Sequence, residues 1–213
     1  RRVLFRSVLA FLEKPTTPEE IVTDQINAGC YVFRRRLLDD IPAGRSVSVE
    51  RETFPGLLSA GAKVIGHVDT SYWLDLGTPL AFVRGSADLV RGLAPSPAVV
   101  GSTGDSLILS GASVDPSAVV DAGSTIGRDC VVHAGARVRG SVLMDGAIVQ
   151  EGAEVIDSVV GRGAVIGRGC HLRETVVGDA ATIGPDNEFA PGARVWPATA
   201  LGAMAIRFSA EPA

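Results

Sequence analysis

Cysteine is scarce in this chain, with only Cys30, Cys130 and Cys170 among 213 residues and no CxxC spacing. The missing spacing speaks against metal or redox work, and the apolar patterns around all three assign them to packing. Basic runs are also missing: the longest is Arg34-Arg35-Arg36, in a chain of net charge −4. Nothing here would neutralise a phosphate backbone along a groove, so no nucleic-acid partner is expected. No apolar run approaches a membrane span and no signal-peptide pattern appears, so the chain reads as soluble and cytoplasmic, with no membrane partner. None of the glycine-bearing links from Val114 onward leads into a helix whose N-terminus could cradle phosphates. What is abundant is apolar content, 46% of the chain, enough for one large domain or two smaller ones.

Much of that content is periodic. From Val114, a Val, Ile, Leu or Phe falls at 120, 126, 132, 138, 143, 149, 155, 160, 166, 172, 177, 183, 189 and 195. The steps are six residues except at 138→143, 155→160 and 172→177, where they are five. Two residues before each anchor after the first sits a small side chain such as Ala118, Ser124, Cys130 or Ala136, with Asn187 the one bulkier exception. A short strand alternates its side chains between faces, and a corner at every sixth residue sends one large and one small side chain inward per face. Three faces make a coil that cannot bury its own interior, so coils must stack. Links such as Asp121-Ala122-Gly123, Glu151-Gly152 and Arg162-Gly163 suit corners that need positive φ. The pattern resembles the hexapeptide-repeat family, which implies a left-handed parallel β-helix; the handedness comes from that resemblance, since spacing carries no hand.

The first ninety or so residues read differently. Arg1 to Ser7 joins the next stretch awkwardly, as though the chain began inside a domain. Val8 to Leu12 reads as a short strand ended by Pro15, and Thr17-Pro18-Glu19-Glu20 as a capped helical turn. Ile26 to Phe33 reads as a strand thinned by Ala28 and Gly29, where something else can come close. Arg34 to Ile41 has a helical face, and Ser48 can cap a second helix that Pro55 should kink or divide. Lys63 to Val68 alternates like a strand, Tyr72 to Gly77 reads as a strand end, and Thr78-Pro79 opens a helix to about Leu93. Strands alternating with helices predict a partial, Rossmann-like α/β layer. The expected division is an α/β part over 1–93, a linker over 94–113, the β-helix over 114–196 and a tail over 197–213, which is either a cap or disordered.

Four places could carry chemistry. Glu13 and Lys14 are either a surface ion pair before a turn, or a phosphate counter-charge beside an acceptor for sugar hydroxyls. Asn27 could offer its amide to a polyol or merely satisfy a strand edge. Asp75, flanked by Trp73, Leu74, Leu76 and Gly77, stands where open α/β sheets bind ligands, and a hard oxygen there suits Mg²⁺; its plain alternative is a helix cap.

Phe11-Leu12-Glu13-Lys14-Pro15, Ile26-Asn27-Ala28-Gly29-Cys30-Tyr31-Val32, Ser48-Val49-Glu50-Arg51-Glu52-Thr53-Phe54-Pro55 and Tyr72-Trp73-Leu74-Asp75-Leu76-Gly77-Thr78-Pro79 succeed one another in order ahead of the repeat. Together they resemble the sugar-1-phosphate nucleotidyltransferase family, in particular its mannose-1-phosphate guanylyltransferase branch. The resemblance implies a sugar 1-phosphate and a nucleoside triphosphate (GTP) as substrates and Mg²⁺ as cofactor. It implies Lys14 on the sugar phosphate, as the catalytic contact. It also implies Glu13, Asn27, Gly29, Glu50 and Trp73 around the sugar, Asp75 on the metal, and homo-oligomers built through the β-helix. The family's glycine-rich nucleotide loop and its second metal-binding Asp are not among these 213 residues. The expectation is therefore the sugar-binding half plus solenoid of a longer enzyme, inactive as it stands.

Two rival readings stay open. Hexapeptide solenoids also occur in acyltransferases that use a His base, and His133 and His171 lie in the repeat, though without an evident acidic partner in a loop or a long inserted loop. A non-catalytic assembly subunit related to the pyrophosphorylases is the other.

Overall fold

The computed structural model describes residues 5–11, 17–21, 23, 25–99 and 104–207. They form two compact units, Arg1–Trp73 and Leu74–Ala213.

The second unit is the repeat made solid. Three parallel sheets of six, five and six strands run side by side, their strands two or three residues long. Each strand pairs with the one a full coil later: Val114 with Val132, Val132 with Val149, Val149 with Ile166, Ile166 with Ile183, and Ile183 with Leu201. This unit is a parallel β-solenoid of about six coils. The anchors and their small companions from Ile126 to Ile183 are all buried, in one continuous column. A one-residue slip would turn every anchor outward, so the alternation alone holds the register.

The five-residue steps mark one edge of the prism, where a single residue with positive φ turns the corner: Gly140 (φ 51), Asp157 (φ 47) and Glu174 (φ 47). At this edge the small inward residues are hydroxyls, Ser124, Ser141, Ser158 and Thr175. The Ser124 Oγ accepts from the Ser141 N–H at 3.1 Å, the Ser141 Oγ from the Ser158 N–H at 3.0 Å, and the Ser158 Oγ from the Thr175 N–H at 3.0 Å. The shorter corner leaves one buried amide per coil without a backbone acceptor, and a hydroxyl supplies it. Cys130 and Cys170 occupy small inward positions at the other two edges, one at each, donating weakly to the carbonyls of Met144 and Gly184, and burial pushes both thiols up. Their packing role stands; Cys30, in contrast, is exposed.

The solenoid strands begin at Ser106 and end at Leu201. The residues after Trp196 form a further rung, since Ala200–Leu201 pairs with Thr182–Ile183. Asn187, the bulky exception, accepts the Ile206 N–H at 2.8 Å while its amide donates to Gly184 and Gly202, tying the chain down as a cap; residues 208–213 lie outside the described residues. Before the solenoid runs a helix from Pro79 to Val90, opened by Thr78, whose Oγ1 accepts the Ala81 N–H at 3.1 Å. The helix buries Val83, Ala87 and Val90 and lies on the first coils so closely that a Cβ on Gly123 would stand 2.5 Å from the Ala87 Cβ. Arg91, just past its end, pairs with Asp105 at 3.1 Å, and Asp105 also accepts the Ala122 N–H.

Among the described residues the first unit holds one two-stranded antiparallel sheet, Phe5–Ser7 with Ile65–His67. Its helices are short: Pro18–Glu20, Arg35–Asp39, and a wide five-residue turn over Val49–Thr53 running into Phe54–Ser59. The predicted division at Pro55 occurs at this junction, because proline has no N–H to give the preceding turn. Two expected strands do not form. Ile26 to Phe33 and Tyr72 to Gly77 are irregular, the former because Gly29 (φ 71) accepts a turn conformation held by Asn27. Of the expected Val8–Leu12 strand, Val8 to Phe11 are not in a strand and Leu12 lies outside the described residues; the strand runs Phe5–Ser7, with the Val8 N–H bonded to the Val64 carbonyl. Among the described residues no helix is long and apolar enough to cross a membrane.

Candidate functional site

The polar centre of the first unit is built from residues 27, 29, 31, 48 and 50. The Asn27 Oδ1 accepts the Gly29 N–H at 3.1 Å, an Asx turn that Gly29 permits. The Asn27 Nδ2 donates to the Tyr31 Oη at 2.6 Å, and the Tyr31 hydroxyl donates to the Glu50 Oε1 at 2.6 Å. Ser48 caps the wide turn by accepting the Arg51 N–H at 3.2 Å, and its own hydroxyl reaches the Glu50 Oε2 at 3.4 Å. Wide turns of this kind recur at functional sites, since they push one side chain out of the regular helical row. Here that turn carries Glu50.

Beneath the polar chain lies an aromatic floor. The Tyr31 ring meets Phe54 edge-on at 5.0 Å between centroids and Phe33 at 6.1 Å, while Phe54 stacks on Phe11 at 4.4 Å and on Phe33 at 5.6 Å. These rings set where the Tyr31 hydroxyl stands, each pair adding about 0.5–1.5 kcal/mol beyond area burial. The Tyr31 hydroxyl donates to Glu50, which, with its own backbone N–H, holds the Glu50 carboxyl below the usual glutamate range. Tyr31 itself is pushed up, first by burial and then by that same carboxylate. Beside them Arg45 pairs with Glu52 at 2.9 Å, and Glu52 also accepts the Ser48 N–H. The arrangement presents an ionised acceptor and an amide donor on an aromatic base, which is the chemistry that recognises a polyol.

The structure thus joins Asn27, Gly29 and Glu50 through Tyr31, a motif residue to which the sequence alone assigns no role. Its signal was an aromatic hydroxyl four residues from Asn27, but only the fold brings position 50 to it. Glu13 and Lys14 lie outside the described residues. Trp73, the last residue of this unit, is half exposed. In the second unit, Leu74 and Leu76 pack on Gly85 of the Pro79–Val90 helix, where an added Cβ would lie 3.3 and 2.9 Å from them. Asp75, between these two leucines, is exposed, its carboxylate beside Gly77. No group of three or more His, Cys, Asp or Glu gathers among the described residues. A lone exposed carboxylate fits Mg²⁺ in the mode where substrate phosphates and water complete the octahedron.

Of the two repeat histidines, His171 does have an acidic partner, Glu154, 3.3 Å from its Nδ1 and one coil away. It sits on a strand rather than in a loop, and Glu154 also pairs with Arg137 at 3.6 Å, which makes a cross-strand charge ladder on an outer face.

Comparison with known proteins bears on both units. A family profile described as Nucleotidyl transferase matches residues 5–92, and one described as GMPPB C-terminal domain matches residues 102–207. The mannose-1-phosphate guanylyltransferase of Mycobacterium tuberculosis is 57% identical over 205 residues, 96% of this chain. The chain is a homologue of that enzyme, with a nucleotidyltransferase segment ahead of the β-solenoid. A probable mannose-1-phosphate guanylyltransferase of rice, Oryza sativa subsp. japonica, is 32% identical over 64% of the chain. The chain spans 56% of the mycobacterial protein's length and 38% of the rice protein's. Among solved structures, the acetyltransferase domain of PglB from Neisseria gonorrhoeae aligns over 55% of this chain and 64% of its own, with 27% identity and a TM-score of 0.30, a likeness too slight to argue from. The Asn27–Tyr31–Glu50 chain lies within the range matched by the transferase profile, and the solenoid strands lie within the range of the other.

Proposed function

We propose that this chain supplies the sugar-phosphate-binding part of a guanylyltransferase that joins mannose 1-phosphate to GTP. The observation carrying the reading is the pair of 2.6 Å hydrogen bonds that link Asn27, Tyr31 and Glu50 over the aromatic floor. In the reaction an oxygen of the sugar 1-phosphate attacks the α-phosphorus of the nucleoside triphosphate. A new phosphorus–oxygen bond forms, the bond from the α-phosphorus to the α–β bridging oxygen breaks, and pyrophosphate leaves with the electron pair. Such a displacement needs positioning and charge neutralisation rather than a covalent nucleophile.

Each residue then has a task. Glu50 accepts a sugar hydroxyl, Asn27 donates to one, Gly29 keeps the backbone low enough for the ring to approach, and Glu13 and Trp73 line the same sugar. Lys14 sets a positive charge on the phosphate. A bound Mg²⁺ would neutralise charge on the phosphates, with Asp75 as its protein ligand. The solenoid joins copies of the chain; the outward aliphatic row Val131, Ile148 and Val165, only partly covered within one chain, supports that role.

Titration of the full chain with mannose 1-phosphate tests the reading. Saturable binding is expected, weakened about tenfold or more by Glu50→Gln and by Lys14→Ala, since each removes a charged partner of a hydrogen bond. Saturable binding of acetyl-coenzyme A with none of mannose 1-phosphate would replace this reading with the acyltransferase one.

A further inference from the structure

The hydrogen bonds of the first unit have a direction that can be read from their donors. The Gly29 N–H can only donate, so the Asn27 atom facing it is the carbonyl oxygen, and the amide nitrogen is the atom facing Tyr31. The Tyr31 oxygen therefore accepts from Asn27, and its single hydrogen goes to the Glu50 Oε1. Once that hydrogen is spent, Tyr31 has none to offer a ligand. Among the described residues, the groups left over are a second N–H on the Asn27 Nδ2 and the remaining lone pairs of the Glu50 carboxylate.

We infer that Tyr31 is a positioning residue that ties the two sugar contacts into one polarised pair, steadying Glu50 as the acceptor beside the Asn27 donor that the Gly29 N–H orients. The inference rests on the sugar-binding role proposed above and goes beyond it, because it dictates which substituents a ligand must carry. The substituent facing Glu50 must itself donate a hydrogen bond, so a hydroxyl serves there and an ether or fluorine does not. The substituent facing Asn27 need only accept. A polyol with neighbouring hydroxyls, one used as donor and the other as acceptor, meets both demands at once.

Among the described residues, the charged and titratable groups around Glu50 come from two segments. Tyr31, with the neutral Asn27, faces it from the 25–33 stretch, and Ser48 and Arg51 belong to its own turn, with the Arg45–Glu52 pair alongside. The Tyr31 hydroxyl has the largest share in holding the Glu50 carboxyl ionised, so its removal raises the pH below which the acceptor is lost.

The test titrates the full chain with mannose 1-phosphate and with its singly deoxy and singly deoxyfluoro analogues. The expected result is one ring position where deoxy and fluoro substitution weaken binding alike, by about tenfold or more, and another where fluorine is tolerated better than hydrogen. Tyr31→Phe keeps the ring on Phe33 and Phe54; it should weaken binding about tenfold and move the acidic limb of binding to higher pH. The analogue series on the unaltered chain needs no variant to fold. Fluorine tolerated equally at every position, or a Tyr31→Phe chain with unchanged affinity and acidic limb, overturns the inference while leaving the sugar-binding role standing. A chain that binds no mannose 1-phosphate at all overturns both.

Discussion

From Ile126 to Ile183 every inward position of the solenoid is buried, whereas in the N-terminal unit Phe54 alone among the described residues is. The solenoid gains its order by repetition, each coil lending the next its hydrogen-bond partners and its floor. The N-terminal unit is held by particular side chains: four rings, an Asx turn and a tyrosine between an amide and a carboxylate. Repetition gives a rigid body with little chemistry on offer, and the irregular unit leaves polar groups at the surface where a ligand can reach them.

The contrast can be broken first at its strongest point. Leu172→Ala in the column should cost about 2–5 kcal/mol in urea unfolding, because rigid neighbouring coils cannot close on the cavity; a loss under about 1 kcal/mol would mean that the stack is softer than its burial implies. Next comes Ser158→Ala, which leaves the buried Thr175 N–H without its acceptor and should cost about 1–3 kcal/mol. If the alanine is neutral, the hydroxyl edge is packing rather than hydrogen bonding. Thr78→Ala removes the cap of the Pro79–Val90 helix and should cost about 1 kcal/mol.

The N-terminal unit responds to pH instead. The folded carboxyl of Glu50 lies below its ordinary value, so its contribution is complete above the unfolded glutamate range and disappears as pH falls through the lower, folded value. Tyr31 is raised, so its contribution is present below the ordinary tyrosine range and is lost as pH climbs through the folded value. Tyrosine absorbance tracked through both limbs should show the N-terminal unit loosening at each end, and Tyr31→Phe should remove the alkaline limb. The smallest effect belongs to the outer charge ladder. Arg137→Ala should change stability by about 0–1 kcal/mol and less at high salt, since its pair with Glu154 is solvent-screened.

The amino-acid order by itself determined the solenoid, down to which residues enter the core, because a corner every five or six residues leaves only one way to bury large side chains. It also located the helix opened by Thr78 and the turn capped by Ser48, since capping is a matter of neighbours along the chain. It misplaced strands at 26–33 and 72–77, where Asn27, Gly29 and the packing of Leu74 and Leu76 prevailed over local apolar character. What the tertiary structure alone decided was the meeting of positions 27, 31 and 50, and with it the direction of every hydrogen bond between them. No spacing along the chain encodes that contact, because an irregular unit brings its residues together by side-chain fit, while a repeat brings them together by counting.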